Sequence, residues 1–142
     1  MPADLDFIDT NPFVYLFERV DTAKRRQAES LITRAPTEGA VISFQVVQEA
    51  LSVLSRRGPQ PGDQSQLRSF LREVLVPLWR VHPSAELYER ALAVQDRYRF
   101  SFYDSLIVAA AHEAGCTRLL TEDLQHGQLI DGLRVENPFA GQ

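Results

Sequence analysis

Lysine and cysteine are almost missing from this chain: Lys24 and Cys116 are the only ones. A lone cysteine excludes an internal disulfide and any thiolate metal cluster, and Cys116 reads as a small buried hydrophobe beside a strand. With one lysine against fourteen arginines, chemistry that needs a lysine at a strand end or in a phosphate loop is excluded, because Lys24 falls inside a helical pattern. No stretch approaches about 18 consecutive apolar residues, so no membrane span is expected. A basic segment followed by an apolar run is also missing from the N-terminus, so no signal peptide is expected and the cytoplasm is the expected location. Positive charge is not in excess. The net charge of −4 argues against a protein that holds nucleic acid by bulk charge, though not against an enzyme that meets nucleic acid briefly.

What is present suits a globular α/β protein. Hydrophobic residues make up 44% and charged residues 24% of 142, enough for one core and one domain over residues 1–142. Strand-like apolar stretches fall at 4–8, 40–43, 76–81, 118–121 and, weakly, 133–136. Between them lie helical patterns at 12–18, 21–34, 44–57, 63–74, 83–97 and 104–114. Pro36, Thr37 and Gly39 are read as breaking the second helix, and Gly58-Pro59-Gln60-Pro61-Gly62 as the clearest loop. Asn11 is read as the cap of the first helix, with Pro12 in its first position. Alternating strands and helices predict a mostly parallel central sheet of four to five strands, flanked by helices on both faces. No internal repeat or low-complexity segment is present.

Four acidic residues stand out on this map. Asp9 ends the first strand, where open α/β sheets bind ligands. Glu49 lies one to two turns into the helix after the second strand, on the edge of its apolar stripe. Asp104 opens a helix that is apolar almost all round. Asp123 follows Thr121 at the end of the fourth strand. Taken singly each has an ordinary explanation: a cap, a solvated helix residue, a capping-box partner of Ser101, a turn former. In a parallel sheet, however, all four reach one edge. Like charges so placed raise one another's pKa unless a cation is bound, and an all-oxygen set suits a hard divalent ion. Such an ion activates water and polarises a phosphoryl oxygen. With no lysine, thiol or paired histidine at hand, this fits metal-assisted phosphodiester hydrolysis better than covalent catalysis.

At these residues the sequence resembles the PIN domain: Asp9-Thr10-Asn11, Glu49 after the second strand, Ser101-Phe102-Tyr103-Asp104-Ser105-Leu106-Ile107, and Leu120-Thr121-Glu122-Asp123-Leu124-Gln125. More narrowly, the chain resembles the toxin half of a VapBC-type toxin–antitoxin pair, and the match in order and spacing covers nearly its whole length. The resemblance implies an endoribonuclease dependent on Mg²⁺ or Mn²⁺. It makes Asp9 and Asp104 the principal metal ligands, with Glu49 binding metal or orienting water and Asp123 completing the site. Thr10, Asn11 and Thr121 would supply hydrogen bonds behind them. It further implies an RNA substrate, a cognate antitoxin that holds the enzyme inactive, and a homodimer. Glu122 adjoins Asp123, and the sequence alone leaves open which of the two faces the metal; Asp123 matches the pattern.

Four more residues are candidates for touching RNA: Arg56 and Arg57 at a helix end, Tyr98 between arginines, and His126 just past Asp123. Each has an ordinary reading as a helix-end charge, core ring or turn residue. His82 and His112 have no partner at metal spacing, and Trp79 reads as core. Two other acidic-site folds are disfavoured. A phosphotransfer receiver wants a strand-end lysine, and a haloacid-dehalogenase-like phosphatase wants an aspartate where Asn11 stands. The alternative from another class is a non-catalytic PIN-like binding module in a regulatory complex, whose mark would be a missing carboxylate.

Overall fold

The computed structural model describes residues 4–57 and 63–140, with only the backbone at Arg57. The Gly58–Gly62 loop expected from the sequence lies outside the described residues. Six strands form one sheet: β1 (Asp6–Ile8), β2 (Ala40–Ser43), β3 (Trp79–Val81), β4 (Arg118–Leu120), β5 (Leu129–Ile130) and β6 (Leu133–Glu136), in the order β3-β2-β1-β4-β6-β5. Every pairing is parallel except β5 with β6. Phe7 and Ile8 in β1 are fully buried, as a central strand covered on both faces requires.

The helices are α1 (Asn11–Tyr15), α2 (Thr22–Glu38), α3 (Phe44–Arg57), α4 (Gln64–Phe70), α5 (Ala85–Tyr98) and α6 (Phe102–Glu113), and they flank the sheet. In α6, every residue from Ser105 to Ala111 is buried, so this helix carries core on all sides. Its cap is Ser101, whose Oγ accepts the Asp104 N–H at 3.1 Å, and Ser84 caps α5 in the same way. From β1 the chain builds outward through β2 to β3, then returns to lay β4 against the other side of β1. The strand order therefore reverses between β1 and β4, the place where an open parallel sheet leaves a crevice at its carboxyl edge.

Several boundaries differ from expectation for identifiable reasons. Thr10, not Asn11, is the cap residue of α1, and it makes no side-chain cap bond because its hydroxyl goes to Glu49. Helix α2 runs through Pro36 to Glu38. A proline there removes one N–H near the end of the helix, while Gly39, with φ +82°, closes it by donating its N–H to the Ala35 carbonyl. The helix expected over 63–74 stays regular only to Phe70, widens to a π-turn over Leu71–Leu75, and tightens to a 3₁₀ turn over Val76–Leu78. Pro77 lies in that turn and has no N–H for a ladder, so the strand expected from residue 76 starts at Trp79. The sixth strand, β5, pairs with β6 across Asp131 and Gly132, both at positive φ.

Arg118, at the amino end of β4, ties the middle of the sheet together. Its guanidinium grips Asp6 of β1 through two bonds of 2.6 and 2.8 Å and reaches Glu136 of β6 at 2.7 Å. Arg118→Met should lower unfolding free energy by roughly 1 kcal/mol, the scale of a partly exposed bidentate pair. Urea denaturation measures this. An unchanged midpoint would mean that the backbone ladder alone sets the β1–β4–β6 register.

Candidate active site

Asp9 stands one residue past β1, and its backbone continues the ladder by donating to the Leu120 carbonyl at 3.0 Å. Its side chain is only 7% exposed. Oδ1 accepts the Thr10 N–H at 2.7 Å and Oδ2 accepts the Thr121 hydroxyl at 2.7 Å. Thr10 also donates its own hydroxyl to Glu49 Oε1 at 2.8 Å. Thr121 Oγ1 also accepts the Asp123 N–H at 3.1 Å. Two buried threonines thus tie three carboxylate-bearing residues from β1, α3 and the end of β4 to one point.

That point opens onto a cleft of about 480 Å³ whose walls include Asp9, Glu49 and Asp123. Asp104, in the first turn of α6, is not among the residues that line it, although its neighbour Tyr103 is. Asp123 is the charge felt by both Asp9 and Asp104, so the link between those two runs through Asp123. Burial pushes the Asp9 carboxyl up to about 7, and Asp123 and Glu49 push it the same way, against the two hydrogen bonds that favour its charge. The Asp104 carboxyl is also raised, by burial first and by Asp123 second. Among the described residues, no arginine or lysine pairs with any of the four.

A divalent ion fits this donor set. Desolvated carboxylates without a counter-cation lack a hard positive charge, and oxygen is the only donor type offered. Among the described residues, no three His, Cys, Asp or Glu side chains enclose an ion by themselves. A divalent ion held here would complete its shell with water.

The remaining candidates divide. Thr10 and Thr121 lie directly behind the acids. Asn11 lines the cleft, but its amide donates to Glu122 Oε1 at 3.3 Å. Glu122 also accepts the Tyr15 hydroxyl at 2.7 Å and pairs with Lys24 at 3.4 Å. Glu122 is thereby turned away, and Asp123 is the member of the pair that reaches the cleft. Arg56 lines the cleft, and the Arg57 side chain is outside the described residues. Tyr98 does not line it: its hydroxyl donates to Asp131 at 3.3 Å, and its ring stacks on Phe100. His126 Nδ1 accepts the Asn137 N–H at 3.0 Å and fastens a turn. Cys116 is buried, and burial pushes its thiol up to about 12, which makes it unreactive. Sequence reasoning missed Gln45, Gln48 and Ser52, which also line the cleft, and preferred Tyr98 to Tyr103, which lines it as well. The available signal was the helical spacing of Gln45, Gln48, Ser52 and Arg56 around Glu49.

Residues 7–129 match the family model of the PIN domain. No curated protein sequence matches the chain. Among solved structures, it is similar to VapC20 of Mycobacterium tuberculosis, described as a sarcin-ricin loop cleaving toxin, at 23% identity and TM-score 0.63 over 83% of this chain and 91% of that one. A toxin–antitoxin complex from Klebsiella pneumoniae aligns at 21% identity and TM-score 0.65 over 94% and 98%. VapBC2 of Rickettsia felis, bound to a promoter DNA fragment, aligns at 20% identity and TM-score 0.63 over 94% and 98%. At these identities the likeness is one of fold.

Folding raises the Asp9 pKa from 3.8 to about 7. Both states are protonated at low pH. Between these values the unfolded chain loses the proton and the folded one keeps it, so stability falls as pH rises and levels off above 7. In EDTA, the melting temperature of Asp9→Asn relative to wild type should therefore climb between pH 4 and 7. A difference independent of pH would refute the burial of an unpaired carboxyl.

Proposed function

Since the chain belongs to the PIN domain family, we propose that it is a divalent-metal-dependent endoribonuclease acting as the toxin of a toxin–antitoxin pair. The observation that carries this reading is the cleft in which Asp9, Glu49 and Asp123 share two threonine anchors and, among the described residues, pair with no arginine or lysine. In this reading Asp9, Glu49, Asp104 and Asp123 hold Mg²⁺ or Mn²⁺. When bound, the ion polarises the phosphoryl oxygen and lowers the pKa of a water. Asp9 is fixed by Thr10 and Thr121, so it need not reorganise when charge develops. Glu49, held through the Thr10 hydroxyl, presents its other oxygen to the attacking water. Asp104 and Asp123, nearer solvent, admit the substrate phosphate beside them. Arg56 on the same wall faces the RNA backbone.

The relatives named above, two of them toxin–antitoxin assemblies, support an antitoxin partner that covers this cleft. Among the described residues no helix is long and apolar enough to cross a membrane. We infer a single domain over residues 1–142 that works in the cytoplasm as a homodimer.

The purified protein should cleave RNA in Mg²⁺ or Mn²⁺ and not in EDTA, and Asp9→Asn should lower the rate by at least about a hundredfold, as loss of a metal ligand does. Gel analysis of end-labelled RNA reads this. Undiminished cleavage by the variant, or in EDTA, would remove the acidic cleft from the mechanism.

A further inference from the structure

Tyr103 precedes Asp104, and its ring is 64% exposed although it lines the acidic cleft. The ring is not loose. It meets Phe102 edge-on at 5.5 Å, Phe102 stacks on Tyr88 at 6.5 Å, and Tyr88 meets the buried Phe44 at 6.5 Å. Its backbone is pinned as well: Gln45 Nε2 donates to the Tyr103 carbonyl at 3.2 Å. Gln45 is itself almost wholly buried, and its Oε1 has no partner among the described residues. That amide is thus committed to holding Tyr103 at the cost of an unpaired acceptor. A chain of four rings runs from the core to the cleft and ends in one braced, exposed aromatic face.

The wall that α3 contributes to the cleft is largely polar. Gln48, Ser52 and Arg56 recur every four residues along α3 and share a face. Arg56 lies two turns beyond Glu49, on the order of 10 Å along the helix axis. An apolar protein segment matches this wall poorly. A nucleotide matches it well, with a flat base for the tyrosine and an anion for the arginine.

We propose that Tyr103 is the base platform of the cleft: it stacks one base of an unpaired RNA strand beside the cleaved phosphate, while Arg56 takes a neighbouring phosphate. This rests on the nuclease reading of the same site and adds to it the residue that receives the base. Stacking uses the face common to all bases, so Tyr103 contributes affinity without choosing a sequence.

The test compares wild type, Tyr103→Phe and Tyr103→Leu on an unpaired oligoribonucleotide. Tyr103→Leu should raise KM about tenfold with little change in kcat, and Tyr103→Phe should restore it. Because the side chain is mostly exposed, melting temperatures should stay together. A second measurement is independent of turnover. Asp9→Asn protein should quench an RNA carrying a fluorescent adenine analogue at the cut, and the quench should vanish in Asp9→Asn/Tyr103→Leu. Unchanged KM and quench would overturn the platform, while Asp9-dependent cleavage would leave the nuclease reading standing. A change in oligomeric mass in Tyr103→Leu with KM unchanged would assign the ring to a protein interface and also overturn it. If wild type cleaves no RNA in Mg²⁺ or Mn²⁺, the nuclease reading fails, and the platform fails with it if the quench is also missing.

Discussion

The site depends on one buried carboxylate that has hydrogen bonds and, among the described residues, no countercharge. Asp9 is held by the Thr10 amide and the Thr121 hydroxyl, and these two bonds offset only part of the cost of taking it out of water. Its pKa remains raised because burial outweighs them. Nothing in the packing can remove that cost without moving β1 from β4, since Asp9 and Thr121 leave those two strands side by side. The fold therefore holds Asp9 in a place where its charge is unfavourable until a cation is supplied.

The same pair of strands shows the opposite solution at its other end. There Asp6 receives the Arg118 guanidinium, which also reaches along the sheet to Glu136 at the carboxyl end of β6, and the charges are satisfied within the chain. One end of the β1–β4 ladder is closed electrostatically and the other is left open. The open end is also where the chain turns into helices, so backbone amides and hydroxyls are available there to aim side chains. Thr10 and Thr121 use both: each touches two acidic residues and so converts the strand register into the spacing of carboxylates.

The sequence made this end of the sheet legible because its signals are local. Asp9 closes an apolar strand, Ser101 caps the helix of Asp104, and the α3 pattern runs from Phe44 to Arg57 as the periodicity indicates. What stayed hidden depends on contacts between distant residues. That Glu122 turns away from the cleft follows from Tyr15 and Lys24, about 100 positions earlier. That the Thr10 hydroxyl does not cap α1 follows from Glu49 claiming it. Tyr98 and Tyr103 look alike in sequence, and only packing separates the stacked ring from the exposed one. β5 is a different case, because Asp131-Gly132 is a strong two-residue hairpin signal in its own right. It is obscured because the strand before it is only two residues long.

The crossing of the chain between β3 and β4 also has a consequence in time. Asp9 and the hydroxyl that holds it are 112 positions apart, and no shorter segment contains both halves of the cleft. At about 5–20 residues per second of synthesis, roughly 6 to 22 s pass between the appearance of the first acid and of the threonine that completes its setting. During that interval the growing chain carries its acidic residues in an unassembled form. An activity built on this cleft is therefore delayed by the order of its strands.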